Sequence, residues 1–97
     1  MTVPFPTAEA AWFWAMSPDG PAVCEPQDIT HILDTLYRCH HITLSHARIL
    51  RVWGKRQIAP SANKTGERAD RHVWDEALDK LDWPLRVKGI VESPRSI

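Results

Sequence analysis

Residues 26–54, PQDITHILDTLYRCHHITLSHARILRVWG, decide the fold. Ile29, Ile32, Leu33, Leu36 and Tyr37 recur at i, i+3, i+4, i+7 and i+8, which lays an apolar stripe along one side of a helix. Pro26 suits the first helical position, and Asp28 sets a carboxylate near the positive end of the helix dipole. The spacing predicts a helix from Pro26 to about Cys39 or His40. Thr43 then caps a second helix, and Ile42 before it can fold back on Ala47 as a hydrophobic staple. Leu44, Ala47 and Leu50, with Ile49 and Trp53 beside them, form its inner side, and Gly54 is its expected stop. The link His40–Ile42 is two or three residues long. So short a connection makes the pair fold back or cross steeply, as in an αα-hairpin or a helix-turn-helix.

Outward from this block the chain stays helical, and no stretch shows the alternation of a half-buried strand. Thr7, after Pro4 and Pro6, caps an expected helix Ala8–Met16, which Pro18 and Gly20 end. Trp12, Ala15 and Met16 lie along one side of it. Phe13 and Trp14 fall off that side, so the segment is apolar nearly all round and needs contact on more than one face. Ser17–Cys24 reads as a loop, and Gln57–Gly66 as a second, mobile one. A further helix is expected from Glu67 to about Trp83, with Ala69, Val73, Trp74, Ala77, Leu78 and Leu81 inward. Pro84 is expected to open a short last turn ending at Gly89. Ile90 and Val91 then dock or fray, and residues 92–97 form a loose tail. The expectation is an all-α chain, one domain over residues 1–97. It is a small orthogonal, helix-turn-helix-like bundle of about four helices plus a short C-terminal helical turn. Its core is Ile29, Ile32, Leu33, Leu36, Tyr37, Leu50, Val73, Trp74, Leu78 and Leu81.

Composition narrows the function classes. The chain has 97 residues, 43% of them hydrophobic, and 12 basic side chains balance 12 acidic ones, a mixture that argues against disorder. The longest membrane-like run, Ala10–Met16, is too short to span a bilayer. The N-terminal stretch has no basic flank and does not read as a signal peptide. Cys24 and Cys39 make no disulfide framework, and the expected setting is the cytoplasm, with both thiols reduced.

The neutral total hides segregation. Residues 1–47 hold one basic side chain, Arg38, against five acidic ones. Residues 48–71 hold seven basic side chains against two acidic, and residues 72–97 hold four against five. Arg48, Arg51 and Lys55 stand at i, i+3 and i+7, on one face of their helix and away from Ala47 and Leu50. Such a row can contact phosphates, and arginine suits guanine edges as well. Arg56 and the loop residue Lys64 join it as candidate nucleic-acid contacts. The plain structural reading of the same residues is a solvated face whose charges complement the negative end of the helix dipole.

Other chemistry is not expected. Cys39, His40 and His41 are consecutive and point in different directions, and a helix of about 20 Å separates Cys24 from them, so no structural zinc site is read here. Neither a Cys/His nucleophile nor a phosphate loop, serine elbow or metalloprotease motif can be made out. The expectation is a protein that is not an enzyme and uses no cofactor. Five tryptophans are many for this length. Trp12, Phe13 and Trp14 form a candidate protein-interface cluster, serving a partner or a homodimer, because Trp is enriched at the energetic centres of interfaces. The alternative function is then a non-enzymatic protein-protein interaction adaptor using this N-terminal aromatic helix.

The block CEPQDITHILDTLYRCHHITLSHARILRVWGKRQIAP, followed by WDEALDKLDWPLRVKGIV, resembles small bacterial proteins of the phage- or plasmid-associated kind. More distantly, Leu33 to Gly54 resembles the opening helices of helix-turn-helix regulators, including phage antitermination-type proteins and the DNA-reading region of sigma factors. The resemblance covers about a quarter of the chain and its motif is unspecific. It implies a double-stranded DNA partner and a role in transcription. In those families a further helix follows the turn and enters the major groove, whereas here Gly54 leads into Lys55–Pro60 and a loop. The recognition helix would then be the Thr43-capped helix itself.

Overall fold

The computed structural model describes residues 3–20 and 22–92. Four α-helices follow one another, α1 (Ala8–Met16), α2 (Pro26–Arg38), α3 (Leu44–Arg56) and α4 (Arg68–Val87), with a 3-10 turn at Thr65–Glu67 leading into α4. No strand occurs among the described residues, and the chain is an all-α bundle around one shared core.

The helix ends follow from local chemistry. Thr7 Oγ1 accepts the Ala10 N–H at 3.1 Å to open α1, and Asp28 accepts the Glu25 N–H at 2.9 Å to open α2. Thr43 Oγ1 accepts the His46 N–H at 3.3 Å. His46 Nδ1 accepts the Thr43 N–H at 3.0 Å, a capping box with histidine in the usual place of glutamate. α2 closes with a Schellman motif: the His40 N–H reaches Tyr37 O, the His41 N–H reaches Leu36 O, and His40 takes a left-handed φ of 61°. α4 closes the same way around Gly89, φ 76°, with N–H bonds from Gly89 to Arg86 O and from Ile90 to Leu85 O.

Two helices run further than their sequence predicts. Gly54 does not stop α3, which continues to Arg56 and ends at left-handed Gln57. The glycine serves packing instead. α1 crosses α3 so closely that a Cβ on Gly54 would lie 2.6 Å from Met16 Cγ and 2.7 Å from Trp12 Nε1. Pro84 opens no separate turn either, and α4 passes through it to Val87. Fully buried Leu85 extends the inner stripe of Trp74, Leu78 and Leu81, and this burial holds the helix together across the missing N–H.

The core joins all four helices. Trp12 and Trp74 are its largest fully buried side chains, with Ile29, Leu33, Leu50, Leu81 and Leu85 around them. Of the expected core, Leu36 and Val73 are only half-buried and Tyr37 is exposed; Leu44 and Ala69, expected to face inward at the starts of α3 and α4, are exposed as well. α2 stops at Arg38, so Tyr37 falls in its last turn, beyond the reach of its neighbours. Ile90 and Val91 dock: both are buried, and the segment after α4 is tied to the one before α1 by Phe5 N–H to Ile90 O at 2.9 Å and Glu92 N–H to Phe5 O at 2.8 Å. The expected tail beyond Glu92 lies outside the described residues. In the loop after α3, Pro60 is fully buried, Ser61 N–H donates to Glu67 Oε1, and Arg71 donates to Pro60 O.

Candidate nucleic-acid interface

α3 packs against α1 and α4 and touches α2 least, which leaves its outer side to solvent. Arg48, Arg51 and Lys55 are all exposed there, and none has an ion-pair partner among the described residues. Three arginines elsewhere are paired within their own helices: Arg38 with Asp34 at 3.0 Å, Arg71 with Asp75 at 3.1 Å and Arg86 with Asp82 at 2.6 Å. The difference is local: α3 has no carboxylate at i±3 or i±4 from its cations. Exposed Leu44 and Val52 flank the row. A groove of about 390 Å³ runs beside it between α3 and α4, with Arg48, Ile49, Val52, Asp70 and Val73 in its walls.

The two other predicted contacts do not join the row. The Arg56 guanidinium lies 4.8 Å from the centre of the Trp53 ring, a cation–π contact, and Trp53 in turn donates to Asp70 Oδ2 at 3.1 Å. Lys64 lies 3.8 Å from Glu67 Oε2, in the loop before α4. Both side chains are exposed, and each has its neighbour three residues away in sequence.

The N-terminal aromatic cluster is largely taken up by its own chain. Trp12 has no exposed surface, and its indole N–H donates to Leu50 O at 2.7 Å, so it is a core residue and not an interface residue. Phe13 and Trp14 are half-buried. Phe13 rests against Trp74 with ring centres 5.4 Å apart, and Trp14 against Phe5 at 5.5 Å. The Trp14 indole N–H is buried with no partner among the described residues.

His46, near the Cys39–His41 run in sequence, is turned away from it and into the contact between α3 and α4. It is buried, with Nδ1 held by Thr43 and Nε2 3.2 Å from Glu76 Oε1 of α4. His72 Nε2 approaches the other oxygen of the same carboxylate at 3.4 Å. The His46 hydrogen bond is the main cause that holds the Glu76 carboxyl below its ordinary pKa. Because Nδ1 accepts a backbone N–H, the ring proton of neutral His46 sits on Nε2 and points to Glu76. The signal was Thr43-x-x-His46, a capping-box spacing with an unusual third residue. The arrangement fastens the start of α3 to α4 and so fixes the platform of the basic row.

The thiols and remaining histidines show no convergent chemistry. Cys39, His40 and His41 are exposed in the turn after α2, and no group of three or more metal-ligating side chains comes together among the described residues. Partial burial, with the carboxylates of Asp28 and Glu25, pushes the pKa of the Cys24 thiol up. No helix among the described residues is long and apolar enough to cross a membrane. No family model, curated protein or solved structure matches the chain.

Proposed function

We propose that the protein binds double-stranded DNA through the outer face of α3, as an accessory factor in transcription. The observation that carries this reading is the row of Arg48, Arg51 and Lys55, exposed together on a rigid helix with no carboxylate partners among the described residues. Unneutralised cations at successive turns suit phosphate contacts, which position a protein on the duplex before any base is read. α3 takes the part of the recognition helix, with α2 before it, in line with the resemblance to helix-turn-helix regulators of phage antitermination and sigma type. A cytoplasmic location goes with this partner. The alternative, an interaction adaptor using the N-terminal aromatic helix, is the less supported, because Trp12 of that helix is fully buried in its own chain.

A salt titration of binding to duplex DNA tests the proposal. Three phosphate contacts give a slope of about −2.7 in log K against log salt, or about 40-fold weaker binding between 50 and 200 mM salt. Arg51→Ala should lower the slope by about one unit. Absent binding, or a slope unchanged by Arg51→Ala, refutes the reading.

A further inference from the structure

Trp83 is 72% exposed and Val87, one turn further along α4, is 66% exposed. Both lie across the helix from the buried stripe of Trp74, Leu78, Leu81 and Leu85. A large exposed aromatic is informative where isolated small apolar groups are not. Each also stands next in sequence to a residue of a groove between α2 and α4. That groove, about 220 Å³, is walled by His31, Ile32, Thr35 and Leu36 of α2 and by Pro84 and Lys88 of α4. A cavity of about 150 Å³ takes up a benzene ring, so this groove has room for an indole.

We propose that this face is a two-fold dimer interface, in which Trp83 of each copy enters the α2–α4 groove of the other. Knob and hole are neighbours on one patch of one chain. A two-fold pairing requires this, because each copy must present the same self-complementary surface. Charge favours a second copy of this chain as the occupant. Asp79 lies one turn before Trp83, and Lys88 lies in the groove wall beyond it. Both are exposed and without an ion-pair partner among the described residues. When two α4 helices run antiparallel with Trp83 seated in the opposite groove, Asp79 of one copy approaches the partner copy's basic end at Lys88. The interface uses none of the cations of α3.

Sedimentation equilibrium of the full chain over a range of concentrations tests this. The expected result is a reversible dimer of twice the chain mass. Trp83→Ser and Thr35→Trp, which fills the groove, should each raise the dimer dissociation constant at least tenfold. Both positions are exposed, so thermal melting at monomer concentrations should be unchanged. Asp79→Lys and Lys88→Asp should each weaken the dimer, and the two changes together should restore it. A chain that stays monomeric at every concentration, or a dimer that Trp83→Ser leaves intact, overturns the proposal.

Discussion

Gly54 shows how a single residue sets the spacing of two helices. In a helix interior glycine costs about 1 kcal/mol against alanine, so helix propensity favours replacing it. Packing forbids the replacement: the added methyl would press on Met16 Cγ and on the indole nitrogen of Trp12. Met16 can swing aside, but Trp12 is fully buried and bonded to Leu50 O at 2.7 Å. Gly54→Ala is expected to destabilise the protein by about 1–3 kcal/mol, the range for overpacking a filled core. Urea unfolding measures the change. A more stable variant would mean that α1 and α3 can part at little cost.

At the scale of the element, α2 and α4 end with the same hydrogen-bonding motif built on different residues. Gly89 takes its left-handed φ of 76° freely, whereas His40 holds 61° with a Cβ in the way. His40→Gly should therefore stabilise the protein by about 0.5–1 kcal/mol, read as a rise in Tm, while Gly89→Ala should lower it by a similar amount. No gain from His40→Gly would show that the imidazole makes a compensating contact. α4 is the element whose length was least legible. Pro84 looked like a boundary because it removes an N–H, but the carbonyl it leaves unpaired belongs to Lys80, on the exposed side where water can reach it.

Across the whole molecule, the segments just before α1 and just after α4 meet and close the bundle. Phe5 and Val91 form a parallel bridge, and Ile90 and Val91 sit in the core beside residues from all four helices. Val91→Ala is expected to cost about 1–3 kcal/mol, since the atoms removed are fully buried. Equilibrium unfolding checks it, and a change below about 0.5 kcal/mol, typical of surface sites, would show that the closure adds little. The same scale shows why a neutral total charge misleads. Arg38 of α2 and Arg71 and Arg86 of α4 are paired within their helices, while Arg48, Arg51 and Lys55 of α3 stand exposed together with no ion-pair partner among the described residues.

The sequence by itself determined the number of helices, their starts at Thr7, Pro26 and Thr43, and the grouping of Arg48, Arg51 and Lys55. These depend on local hydrogen bonds and on a period of 3.6 residues, which act within a few positions of each other. Tertiary structure decided the rest. α1 is apolar nearly all round, so its own pattern names no inner face; α3 and α4 chose Trp12 and left Phe13 and Trp14 at the margin. Likewise His46 found Glu76, and Trp83 was left uncovered, because contacts between helices depend on which surfaces meet and not on spacing along one chain.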